Sequence, residues 1–117
     1  MKKQNKKCSE LIREKLDERI KEAKRIIKGF DPYDENEEKE KDPIEAFNDW
    51  ALAWDGCRLE LSYGGPQDYF TYARDKNGQI VAIFYSYLNW FDGATIELGY
   101  DYFNTMKELA EALLLFE

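Results

Sequence analysis

Residues 69–88 read YFTYARDKNGQIVAIFYSYL. Two runs rich in aromatic and β-branched residues flank Asn77-Gly78, the strongest short hairpin signal a sequence can carry. A two-residue turn there pairs Arg74 with Val81, Tyr72 with Ile83 and Phe70 with Tyr85. Side chains alternate across a sheet, so those six share one face. Tyr69, Thr71, Ala73, Ala82, Phe84 and Ser86 share the other.

Working outward, Cys57, Leu59, Leu61 and Tyr63 alternate with Arg58, Glu60 and Ser62, the pattern of a half-buried strand. Gly64-Gly65-Pro66 breaks it. Downstream, Asp92-Gly93 is a second hairpin candidate that places Ile96 and Leu98 beside Ile83 and Tyr85. The core face is therefore expected to hold Phe70, Tyr72, Val81, Ile83, Tyr85, Ile96 and Leu98. The opposite face keeps Tyr69, Phe84, Leu88 and Trp90. It is either covered by the first helix or a binding surface.

Helical signals flank this block. Residues 10–28 carry Ile12, Leu16, Ile20, Ala23 and Ile27 at spacings of three and four, between a Ser9 cap and Gly29. Leu16, Ile20, Ala23, Ile27 and Phe30 also fit a short heptad seam, so self-association through this helix is a second use for the stripe. Asp42-Pro43-Ile44-Glu45 starts another helix, with Ile44, Phe47, Ala51 and Trp54 on one face before Asp55-Gly56. Thr105-Met106-Lys107-Glu108 reads as a capping box for a last helix carrying Met106, Leu109, Ala110, Leu113 and Leu114. The expected fold is α+β in the order ααββββα, an antiparallel meander of three to four strands with flanking helices. One domain is expected: a basic amphipathic helix at 1–30, an acidic linker at 31–42 and an α+β core at 43–117.

The chain's 117 residues carry a formal charge of −7 that conceals a split. Residues 1–30 hold eleven Lys/Arg against five Asp/Glu, a net of +6. Residues 31–117 hold six against nineteen, a net of −13. The acidic body should repel nucleic acid and attract a basic surface. No histidine occurs, which removes His-based triads, His general bases and His metal ligands. Cys8 and Cys57 form no metal or redox spacing, so a reduced, cytoplasmic setting is expected. No apolar run approaches the ~18 residues of a membrane span, and no apolar segment of a secretory signal follows the basic start.

Gly64-Gly65-Pro66-Gln67-Asp68 lacks the Lys-Ser/Thr pair of a phosphate loop and reads as a tight connection or a protruding recognition loop. The acidic stretch from Asp31 fails as a calcium loop, because Asn36 stands where glycine is needed and Asp42 replaces the bidentate Glu. Asp49, Asp55, Asp68, Asp92, Glu97 and Asp101 lie near element ends, and no spacing selects an acid–base pair. No catalysis, metal or cofactor is expected. The expected partner-binding residues are Tyr69, Phe84, Trp90, Phe91 and Asp92, with Asp68 and Glu97 at the rim: aromatic anchors ringed by carboxylates.

The stretch Leu61-Ser62-Tyr63-Gly64-Gly65-Pro66, then Asp68-Tyr69-Phe70 and Trp90-Phe91-Asp92-Gly93-Ala94, resembles small bacterial proteins often associated with phages and mobile elements. The resemblance covers roughly residues 57–117 and brings no active site with it. In size, acidity and compact α+β design, though not in motif, the chain also looks like phage-encoded inhibitors of host defence, including anti-CRISPR proteins. The expectation is a non-enzymatic inhibitor or modulator that binds a protein with a basic surface, such as a nucleic-acid-handling enzyme. The alternatives are a nucleic-acid-binding regulator acting through the basic helix, and a housekeeping interaction domain.

Overall fold

A computed structural model describes the backbone of residues 7–114 and the side chains of residues 7–112. The expected core roles of Leu113 and Leu114, and the basic residues before Lys7, lie outside the described residues. The elements run α1 (Cys8–Lys28), α2 (Pro43–Trp50), β1 (Ala53–Trp54), β2 (Arg58–Ser62), β3 (Pro66–Arg74), β4 (Ile80–Asn89), β5 (Asp92–Glu97) and α3 (Tyr100–Leu114). The fold is α+β as expected. Its antiparallel meander has five strands in the order β1-β2-β3-β4-β5, one more than the upper expectation.

The central hairpin keeps its expected register at Phe70↔Tyr85 and Tyr72↔Ile83. It departs at the turn. Asp75 and Gln79 close the hairpin, the Gly78 N–H returns to the Asp75 carbonyl, and Gly78 sits at φ 83°. This is a three-residue connection with glycine in the left-handed position, and such a connection adds a bulge. Arg74 therefore pairs with Ile80, not Val81. Ile80 is buried and Val81 faces solvent, which corrects the expected core face at that one position.

The other corrections are local. Helix α2 stops at Trp50, where Ala51 turns extended. Ala53 and Trp54 then pair with Glu60 and Leu59 as the added strand, and the Trp54 ring meets Tyr72 edge-on at 5.2 Å. Helix α3 begins five residues before the expected box. The Thr105 hydroxyl bonds back to the Asp101 carbonyl inside the helix, the alternative use of the same side chain. The β4–β5 turn is Trp90-Phe91, flanked by the pair Asn89↔Asp92, so Asp92-Gly93 opens β5 instead of forming the turn. Most of the linker expected at 31–42 folds back on itself, and Asp42 caps α2. Phe30 bridges Glu40, and the Asp34 carboxylate collects the N–H groups of Asn36, Glu38 and Lys39.

All three helices lie on one sheet face. Ile12, Leu16, Ile20, Ala23 and Ile26 of α1 join Phe47 and Trp50, Met106 and Leu109, and Phe70, Tyr72, Ile83 and Tyr85 in a single buried cluster. Ile26 takes the place expected for Ile27, which is half-buried. The stripe that might have served self-association is thus core, which removes that surface from α1. Helix α1 ends in a Schellman motif: Phe30 N–H reaches the Arg25 carbonyl, Gly29 N–H reaches Ile26, and Gly29 sits at φ 92°.

Candidate protein-docking surface

The seven expected binding residues fall in three different places. Asp68 belongs to the inner face, only 3% exposed. Tyr69, Phe84 and Glu97 stand on the outer face, which no helix covers among the described residues. Trp90 and Phe91 form the β4–β5 turn, and Asp92 opens β5 beside it.

Asp68 is not a rim residue, because every acceptor site it has is occupied. Arg19 clamps it from α1, Nε to Oδ2 at 2.7 Å and Nη2 to Oδ1 at 3.0 Å. The Tyr85 hydroxyl donates to Oδ2 at 2.7 Å and the Ser62 hydroxyl donates to Oδ1. Two oxygens offer about four lone-pair directions, and four donors fill them. Burial alone would push this carboxyl up. The hydrogen bonds and charge of Arg19, helped by Ser62 and Tyr85, more than offset it and hold Asp68 below its usual range. Arg19 also donates to Glu22 at 2.9 Å, and Glu22 accepts the Trp50 indole N–H at 2.8 Å. The chain of contacts ties α2, α1 and three strands together, and it leaves Asp68 no free lone pair with which to act as a base. It was invisible to spacing, since Arg19 and Asp68 are far apart in sequence.

The turn is built the opposite way. Trp90 is 81% exposed and Phe91 fully exposed. Trp90 also holds φ 59°, in the left-handed region that a bulky side chain rarely occupies. Such a conformation costs on the order of 1–3 kcal/mol and persists where the surroundings impose it. Here the two-residue turn between the paired Asn89 and Asp92 requires it, and Asp92 fastens that turn to α1. Its Oδ2 accepts the Cys8 N–H at 2.6 Å, fastening the turn to the first residue of α1, and the Cys8 thiol donates to the Asp92 carbonyl at 3.4 Å. That backbone N–H is the main reason the Asp92 carboxyl lies below its usual range. Asp92 is thus an anion at a helix N-terminus, where unpaired N–H groups favour negative charge. It positions the aromatic turn more than it rings it.

Pro66 pairs with Asn89, so the β2–β3 connection lies at the same end of the sheet as Trp90 and Phe91. Tyr63, in that connection, is 76% exposed. It is the binding candidate that reading the sequence missed, although the pairing of Phe70 with Tyr85, carried back along the strands, places it there. A cleft of about 180 Å³ opens nearby between Lys15 and Glu18 of α1 and Ser62, Pro66 and Tyr87 of the sheet. Three exposed aromatic residues thus gather at one end of the molecule.

The outer face is quieter. Arg58 lies 3.6 Å from the centre of the Tyr69 ring and pairs with Glu60 at 2.7 Å. Ser86 and Thr95 share a hydrogen bond of 2.8 Å. Phe84 and Tyr69 are half-buried by their strand neighbours alone. Among the described residues no group of three or more Cys, Asp and Glu is placed to hold a metal ion, and no helix is long and apolar enough to cross a membrane. Comparison with family models, curated proteins and solved structures finds no match.

Proposed function

We propose that this chain is a non-catalytic protein-binding module that inhibits or modulates its partner, gripping it at the aromatic end of the sheet. The observation that carries the reading is the β4–β5 turn. Trp90 and Phe91 contribute almost nothing to the core, yet the turn that carries them is fastened to α1 by the Asp92–Cys8 contact. Large aromatics exposed on a rigid support are what interface anchors look like. The partner's surface is proposed to be basic, because residues 31–117 carry a net −13. The inhibitory part of the proposal leans on the likeness to phage-encoded inhibitors, and a cytoplasmic setting suits the two free thiols Cys8 and Cys57.

The net −13 of residues 31–117 weighs against nucleic acid as the ligand, and three of the seven Lys/Arg of α1 are already paired. Within α1, Lys15 meets Glu18, Arg19 meets Asp68 and Glu22, and Lys28 meets Glu37. The experiment is affinity capture from host lysate with the wild type and with a Trp90→Ala, Phe91→Ala variant. A protein held by the wild type should be lost by the variant, since truncating an anchor weakens binding by about 2 kcal/mol or more, roughly 30-fold. Thermal unfolding of the variant should stay close to wild type. Equal capture by both proteins would overturn the reading.

A further inference from the structure

The outer sheet face lies apart from the proposed docking end. In a chain with 35% charged residues, every outward position on the two central strands is uncharged: Gln67, Tyr69, Thr71 and Ala73 on β3, and Ala82, Phe84, Ser86 and Leu88 on β4. A solvated antiparallel face normally alternates to polar and charged side chains. Charge appears only on the flanking strands, as Arg58 and Glu60 on β2 and Glu97 on β5.

The pairing register sets two rows across the middle of this face, flanked by the pairs Gln67↔Leu88 and Ala73↔Ala82. One row runs Glu60, Tyr69, Ser86, Thr95 and the next runs Arg58, Thr71, Phe84, Glu97. Each row sets one ring beside one small side chain on the central strands, and the ring changes strand from one row to the next. A two-fold axis lying between two copies, along the strands and midway between β3 and β4, exchanges β3 with β4 and β2 with β5. It brings Phe84 over Thr71 of the second copy and Tyr69 over Ser86. It also brings Arg58 over Glu97, which makes no ion pair among the described residues, and Glu60 over the Thr95 hydroxyl. Both rings meet a small side chain and Leu88 meets Gln67, while Arg58, which pairs with Glu60 in its own copy, gains a carboxylate that makes no ion pair among the described residues. Two-fold interfaces require this kind of self-complementarity, and sheets stack with their strands nearly aligned.

We infer that the outer face binds a second copy of this chain, forming a two-fold sheet-on-sheet dimer with reciprocal Arg58–Glu97 contacts. The helices and the aromatic turn stay outside this interface, so the dimer would present two docking ends.

Sedimentation of the full chain over a wide concentration range tests it, alongside Arg58→Glu and Glu97→Arg. The wild type should be dimeric, and each single reversal should weaken association about tenfold or more, because it sets like charges opposite each other. Mixing the two single variants in equal amounts should restore a dimer, since Arg58→Glu in one copy then faces Glu97→Arg in the other. The rescue guards against misfolding, and circular dichroism of each variant alone adds a second check. A wild type that stays monomeric overturns the inference. So does a dimer that both reversals leave intact, or a mixture that fails to re-form. Loss of capture at the aromatic end would not bear on it, because Trp90 and Phe91 stand outside the rows.

Discussion

The two faces of this sheet are made from the same strands, residue by residue in alternation, and they use polar groups in opposite ways. On the inner face the buried carboxylate of Asp68 is saturated by four donors and pins α1 to β2, β3 and β4. On the outer face Arg58 and Glu60 pair near the surface, and Glu97 makes no ion pair among the described residues. The inner face is therefore a structure that tolerates no exchange of partners. The outer face and the turn beyond it have groups still available. What separates them is the side on which α1 lies: had it packed against Tyr69 and Phe84, those rings would be core and Asp68 would be exposed.

Removing one partner of the inner pair is expected to have the largest effect. Arg19→Met leaves Asp68 buried and uncompensated, with an expected loss of about 3–5 kcal/mol. Arg58→Met, at the exposed pair, should cost about 0–1 kcal/mol. Urea unfolding of both variants gives the contrast directly. An Arg19→Met loss below about 1 kcal/mol would mean that the apolar stripe alone fixes α1.

The hairpin gives the same contrast with rings. Phe70→Ala empties a fully buried site against Tyr85, 4.9 Å between ring centres, and is expected to cost about 3–5 kcal/mol. Phe84→Ala, one strand over and half-buried, should cost roughly 1–2 kcal/mol, in proportion to its smaller buried area. Comparable losses would show that the outer ring is packed as tightly as the inner one.

Acid should sharpen the comparison less strongly. The folded state holds Asp68 below its usual range, so its contribution is present above the unfolded carboxylate range near pH 4 and disappears as pH falls through the lower folded value. The stability gap between wild type and Asp68→Asn should thus narrow from pH 6 to pH 3. Asp34, Asp55 and Asp92 are shifted the same way by backbone N–H groups, and they should add a fall in stability common to both proteins. A gap that stays constant with pH would place Asp68 outside the titration.

The sequence made the sheet legible where local chemistry and register coincide. Asn77-Gly78 located the hairpin and its two inner pairs, because the alternation of Phe70, Tyr72, Ile83 and Tyr85 allows no other facing. The bulge at Arg74 was hidden, since the same Asn-Gly serves two- and three-residue turns. Strand β1 was lost because Ile44, Phe47, Ala51 and Trp54 keep helical spacing past the point where pairing with β2 prevails. For the candidate site, residue type revealed Trp90 and Phe91, which stand beside a turn whatever its register. Asp68 was misplaced, since a carboxylate next to a glycine-rich turn reads as surface and its partner Arg19 lies on another element.

The smallest expected effect separates anchor from scaffold at Trp90. At φ 59° a residue with a Cβ is penalised by about 1–2 kcal/mol relative to the right-handed regions, and glycine is not. Against that relief stands glycine's greater loss of backbone freedom on folding, about 0.5–1 kcal/mol. The indole adds little to the opposing side, because at 81% exposure it has little apolar area to give up. Trp90→Gly is therefore expected to stabilise the protein by roughly 0.5–1 kcal/mol, a rise in melting temperature of about 2–4 °C, while abolishing capture of the partner. Trp90→Ala keeps the strained Cβ and should leave the melting temperature near wild type with the same loss of capture. If Trp90→Gly instead unfolds at a lower temperature, the indole has a packing role that its exposure does not reveal, and the turn is scaffold before it is an anchor.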